Sequence, residues 1–216
     1  MAGALSFQRA RKPEERELRR ETILAAAAEL FDAGGPQAAG LNAIAARAGF
    51  TKSNVYRYFE SREEVLLNLF LAELDGFVGD FEAGVAAVAE NDLDALARLA
   101  ADGFIARPRF CALMSILISV LEQNVSEDRI KTLKRAVSGL HIRIAEALHS
   151  RLPAASLADC GWAGASSATF VAGLWPSARP SSAAARVIEL PEFAHLKPNP
   201  ERDIVRVIRA LLGSIA

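Results

Sequence analysis

Lys52, Ser53, Tyr56 and Arg57 are the residues whose types and spacing most directly suggest chemistry. On a helix beginning at Lys52, with about 100° per residue, they share one arc, opposite Val55 and Tyr58, with Phe59 at the edge. The arc carries hydrogen-bond donors and cations and no carboxylate before Glu60. Such a face suits a major groove edged by phosphates: hydroxyl and ammonium groups meet phosphate oxygens, and an arginine fork can read guanine. His141, His149 and His195 lack metal-ligand spacing with one another or with Cys111 and Cys160. There is no Gly-rich phosphate loop, nucleophile elbow or HExxH pattern, so the sequence assigns no catalytic residue, no cofactor and no metal.

The arc needs a second helix to hold it. A short helix from Leu41 to Ala48 is expected ahead of one from Lys52 to Phe59. Ala45 is small where the two would cross, and Gly49 can take the left-handed conformation that ends a helix abruptly. Thr51 can cap the second helix, and Ile44, Phe50, Val55 and Tyr58 supply a shared core. The spacing of Ala45, Gly49 and Val55 is that of a helix-turn-helix. A first helix is expected from Pro13, with Glu14, Glu15 and Glu17 in its early turns and a stripe of Ile23, Ala26, Ala27, Leu30 and Phe31. Gly34-Gly35-Pro36 should stop it. Ser61 and Glu64 form a capping box that opens a long helix toward Val88.

Beyond it, helical periodicity continues and no alternating strand pattern appears. Further helices are expected from Asn91 or Asp92 to Arg107, from Pro108 through Leu121, and from Ser126 to the residues before Leu152-Pro153. Ser156 opens another toward Trp175, and Asn199-Pro200 opens a last one to Ile215. The fold class is therefore all-α. The 216 residues, 51% hydrophobic and 24% charged, exclude a disordered chain, a collagen-like repeat and a coiled-coil rod. Two cysteines cannot build a disulfide scaffold, no apolar stretch is long enough for a membrane span, and no signal peptide opens the chain, so a cytoplasmic protein without a membrane partner is expected. The net charge of −1 hides an asymmetry: Met1 to Arg62 carries 10 basic and 7 acidic residues, the remainder 15 and 19. A basic front and acidic rear fit a front that touches a polyanion.

The sequence resembles the TetR family of transcriptional regulators. The likeness runs through Ile23-Leu24-Ala25-Ala26-Ala27, Leu30-Phe31 and Gly34, then Ile44-Ala45 and Ala48 to Phe59, and ends on Ser61 to Leu66. It implies an N-terminal three-helix helix-turn-helix DNA-binding domain, residues 1–62, and a helical effector-binding and dimerisation domain, residues 63–216. It also implies contacts to DNA from Thr51, Lys52, Ser53 and Tyr56, with Asn54 and Arg57 in the same helix and Arg62 holding a phosphate from the next. Gly40 stands where the family usually has a capping threonine, and Asn42 is the expected replacement for its phosphate contact. Arg9, Arg11, Lys12, Arg16, Arg19 and Arg20 could add backbone or minor-groove contacts.

By the same resemblance the middle helices enclose a small-molecule pocket and the last long pair forms a homodimer interface. Small residues including Gly164, Ala168 and Ala172 would let helices approach closely, and Ile204, Val207, Ile208 and Leu211 form a stripe that needs cover. Candidate pocket residues are Phe104, Phe110, Met114, Leu117, Ile118 and Leu121, with His141 to orient a ligand. The expected function is a homodimeric repressor on a palindromic double-stranded DNA operator, released by an effector and not an enzyme. The alternatives are a ligand-binding or enzymatic helical protein with a purely structural helix-turn-helix, and a nucleoid protein without sequence preference.

Overall fold

The computed structural model describes residues 4–216, with side chains from Pro13 onward except that of Ile118. Among the described residues there are helices and turns and no strand. The chain divides into two compact units: one holds the residues up to Leu69 together with Ser119–Arg129, the other Phe70–Ile118 and Ile130–Ala216. A single cut after Arg62 does not describe this division, because the 119–129 stretch packs with the N-terminal residues.

In the first unit, α1 spans Ala4–Ala38. It runs across Pro13 rather than starting there: a proline ring holds φ near a helical value, so the helix continues with one N–H donor missing. Ile23, Ala26, Ala27 and Phe31 are buried along its stripe. Gly34 (φ −154°, ψ 21°) and Gly35 (φ 67°, ψ −163°) interrupt it before a last turn at Pro36. α2 (Leu41–Arg47) and α3 (Lys52–Val55) follow. α3 is shorter than expected; beyond Val55 the chain turns by tighter bonds, Arg57 N to Asn54 O at 3.2 Å and Tyr58 N to Val55 O at 2.9 Å. α4 begins this unit's last stretch and spans Arg62–Val85. Its start is the expected capping box in part: Ser61 Oγ accepts from Glu64 N at 3.1 Å, and the Glu64 carboxylate accepts from Glu60 N.

The second unit contains the rest of α4, then α5 (Leu93–Ile105), α6 (Pro108–Ile116), most of α7 (Glu127–His149), α8 (Leu157–Ala178), α9 (Ser182–Ile188) and α10 (Pro200–Gly213). Caps fall where expected: Asp92 on α5, Ser156 on α8 and Asn199 on α10 each accept a backbone N–H with a side-chain oxygen. α6 stops at Ile116 instead of Leu121; a π-turn over Leu117–Leu121 and a short 3-10 turn over Glu122–Asn124 follow. The core is rich in phenylalanine, with Phe77 and Phe104 centroids 4.5 Å apart and Phe110 5.6 Å from Phe77. Gly103 permits this stack, since a Cβ there would come within 2.9 Å of the Phe77 ring.

Burial pushes the Cys111 thiol up from 9.0 to about 12, and its sulfur donates to Phe104 O at 3.3 Å. Cys111 is therefore expected to resist a thiol reagent at neutral pH until the chain unfolds. Below the unfolded thiol's value of 9.0 the contribution to stability is complete; it is lost as pH rises toward 12, because the unfolded thiol ionises first. Alkaline melts of wild type and Cys111→Ser check this: the wild type should lose relative stability only above about pH 9.

Candidate nucleic-acid interface and buried cavity

The expected recognition face is assembled by short-range geometry. α2 ends at Ala48, and Gly49 takes φ 72°, a left-handed conformation that an L side chain rarely adopts. The chain thereby reverses within three residues, and Phe50 N returns to Ala45 O at 2.8 Å. Thr51 then caps α3, its Oγ1 accepting from Asn54 N at 3.2 Å. Val55 and Phe59 are buried, and Ile44 and Ala45 of α2 are buried as well.

On the outside, Thr51, Lys52, Ser53, Tyr56 and Arg57 are exposed, and Asn54 is half-buried. The Lys52 ammonium lies 5.8 Å from the centroid of the Tyr56 ring, which is itself 51% exposed. Among the described residues neither Lys52 nor Arg57 makes an ion pair, so both cations are available to an anion. Asn42 is exposed on α2, and Gly40 offers no side-chain cap there. Arg62 differs: it is half-buried and its Nε donates to Glu63 at 3.0 Å, so a phosphate would have to displace that carboxylate.

The basic residues of α1 divide similarly. Arg16 is exposed, but Arg19 pairs with Glu15 at 2.6 Å. Arg20 is a strut: it pairs with Glu17, donates to Asn68 of α4 and lies 5.3 Å from the Phe59 ring centroid. The side chains of Arg9, Arg11 and Lys12 lie outside the described residues.

Long-range contacts that sequence reasoning missed brace this unit. Glu64, only 5% exposed, meets Arg129 Nε at 3.0 Å, and Arg129 also lies 3.4 Å from Glu60. Ser126 Oγ donates to the second Glu60 carboxylate oxygen at 3.0 Å. Nothing local to residues 126–129 signals this, because the partners lie some sixty residues earlier.

The second unit holds an apolar cavity among α4, α5, α6, α7, α8 and α10. Its volume is ≈ 50 Å³, a narrow cleft. Of the expected pocket residues, Phe104 and Phe110 line it. Met114, Leu117, Leu121 and His141 do not. Met114 and Leu117 are half-buried elsewhere, Leu121 is buried within the first unit, and the Ile118 side chain lies outside the described residues. His141 is half-buried with Nε2 against α8, where a Cβ on Gly161 would approach it to 2.9 Å.

Two other walls come from residues expected at a subunit interface. Gly164, Ala168 and Ile208 line the cavity, and Ala172 is half-buried on α8. Ile204 and Ile208, 0% and 2% exposed, are covered by the chain's own helices, and Val207 and Leu211 are half-buried. Ile204 and Ile208 are thus covered within the chain, because α10 packs on α5 and α8, while Arg202, Arg206 and Arg209 are exposed.

Comparison with known proteins accounts for both units. Residues 23–69 match the family of bacterial regulatory proteins named for tetR, and residues 71–213 match the tetracyclin repressor-like C-terminal domain. The chain belongs to the TetR family of transcriptional regulators. A relative by sequence is the HTH-type transcriptional activator FasR of Mycolicibacterium smegmatis, 38% identical over 86 residues. That match covers 40% of this chain and 37% of FasR, little more than a third of the relative's length. Among solved structures, the TetR family repressor AlkX of Dietzia sp. strain DQ12-45-1b gives a TM-score of 0.58 at 12% identity, covering 91% of this chain and 94% of its own. The fatty acid degradation regulator FadR of Bacillus halodurans gives 0.57 at 15%, covering 90% and 94%. These likenesses show the TetR fold. No helix among the described residues is long and apolar enough to cross a membrane.

Proposed function

We propose that this TetR-family regulator acts in the cytoplasm as a homodimeric repressor, placing two copies of α3 in successive major grooves of a palindromic operator and leaving it when a small molecule binds the second unit. The observation that carries the DNA half is the exposed set Lys52, Tyr56 and Arg57, its cations free of ion pairs, on capped α3 and the turn that follows it, anchored beneath by Val55. Thr51, Ser53 and Asn54 add phosphate or base-edge contacts, and Asn42 adds one from α2. Most of the affinity is electrostatic and falls with salt; Arg57 and Tyr56 supply discrimination. Residues 1–62 form the DNA-binding part and 63–216 the regulatory part, with the 119–129 stretch packing on the former. The effector must favour the DNA-incompetent arrangement, since equal affinity for both states shifts nothing.

Dimerisation is assigned to the outer face of α8. Between Cys160 and Ala178 this helix contains no charged residue. Trp162, Ala165, Thr169 and Gly173, at i, i+3, i+7 and i+11, are all exposed, Trp162 by 51%. An uncharged stripe of small residues around one exposed tryptophan supports a self-complementary helix pair. Trp162→Glu is expected to sediment as a monomer with unchanged helicity and to lose operator binding; a persistent dimer refutes this face.

Selecting bound fragments from genomic DNA tests the whole reading. It should return paired half-sites centred about one helical turn, 10–10.5 base pairs, or a multiple of it apart. FasR, an activator, favours a second reading in which binding raises transcription. Deleting the regulator decides the sign: reporter expression from a selected site rises for a repressor and falls for an activator.

A further inference from the structure

We infer that the cavity of the second unit takes an uncharged, slender apolar molecule and excludes anionic and cationic ones; this rests on reading that cavity as the effector site. Phe77, Phe81, Phe104 and Phe110 line it. Ala163, Gly164 and Ala168 also line it and carry little or no side chain to fill it. The single polar side chain in the lining is Ser167, and its hydroxyl already donates to Ala163 O at 2.7 Å. Its oxygen keeps lone pairs but has no free proton for a carboxylate or phosphate.

Four arginines of the surrounding helices are paired with carboxylates, and none of them is in the lining. Arg143 pairs with Glu82 at 2.6 Å and Asp75 at 3.1 Å, Arg109 with Glu73 at 2.6 Å, and Arg209 with Asp94 at 2.9 Å. Arg107 pairs with Asp80. A charged group entering the cleft would therefore lose its hydration and meet no opposite charge or free donor. A hydrocarbon gives up no charge hydration and gains ring contacts, as benzene does in an engineered dry cavity of roughly 150 Å³; at ≈ 50 Å³ this cleft must widen to admit one. The narrow bore selects a chain or a flat ring over a bulky ligand.

The test uses the full-length protein and two matched probe pairs, 1-decanol against decanoate and naphthalene against 2-naphthoate, with calorimetric affinity and melting temperature as readouts. The neutral member of each pair is expected to bind and raise the melting temperature, and the carboxylate to bind at least about a hundredfold more weakly. Ala168→Phe, which fills the cleft, should abolish uptake of both neutral probes. Ala100→Leu fills it from α5 and replaces that variant if circular dichroism shows Ala168→Phe misfolded. Carboxylates that bind as tightly as their neutral partners, neutral uptake that survives a filled cleft, or no neutral uptake at all would each overturn the inference. DNA affinity is read separately. Uptake without release from DNA upholds the ligand class and removes its effector role, whereas intact operator binding with no uptake removes the ligand class and leaves the regulator standing.

Discussion

Replacing Lys52 and Arg57 together with alanine is expected to remove nearly all specific DNA retention while leaving the melting temperature almost unchanged. Both side chains are exposed and unpaired, so their loss strands no buried partner; such surface changes alter stability by about 0.5 kcal/mol or less. The Thr51 cap and the Val55 anchor survive, so α3 stays in place. On DNA the consequences are large. A bidentate arginine–guanine contact is worth about 1–3 kcal/mol of discrimination, and each phosphate contact removed lowers the slope of log affinity against log salt by about 0.9. Binding isotherms across a salt series on a selected operator and an unrelated duplex measure both terms. Full retention would return the helix-turn-helix to a structural role. Equal affinity for both duplexes in the wild type would instead indicate a nucleoid protein, since a regulator should prefer its site by about a thousandfold or more.

Arg129→Ala is expected to destabilise the first unit by about 1–3 kcal/mol, the range for a buried polar group left short of partners. Arg129 is itself 45% exposed, so the ion pair as such contributes little net. What matters is Glu64, 5% exposed, which would keep the Glu60 N–H and lose its cation. Glu64→Gln in the Arg129→Ala background should recover part of the loss, because the stranded charge is gone. Denaturant unfolding of the two single variants and the double forms a cycle. A coupling above about 0.5 kcal/mol is expected for residues in contact, and strict additivity would show that the 3.0 Å approach carries no energy. Operator affinity should fall with stability here, since Glu60 directly follows the recognition turn and Ser126 and Arg129 hold its carboxylate.

Much of the candidate DNA-facing site's geometry was legible in the chain because its determinants are local. A left-handed Gly49, a threonine three residues before the N–H that it caps, and apolar residues at helical spacing act within one or two turns. Asn199-Pro200, Asp92 and Ser156 marked helix starts for the same reason. The lengths of α3 and α6 were less legible, since helix ends yield to packing: Leu121 is fully buried in the first unit, where a π-turn rather than a continued helix delivers it.

By itself the sequence determined the all-α class, the helix-turn-helix, the outward cationic arc and the need of α10 for cover. Only the tertiary structure decided what supplies that cover, turning Ile204 and Ile208 inward and leaving Trp162 outside. It alone made Arg20 a strut to Asn68 rather than an arm for DNA, and joined Arg129 to Glu64. Periodicity states that a face must be buried and a charge must be paired, but the partner is chosen by contacts between residues far apart in the chain, and no short-range pattern encodes them.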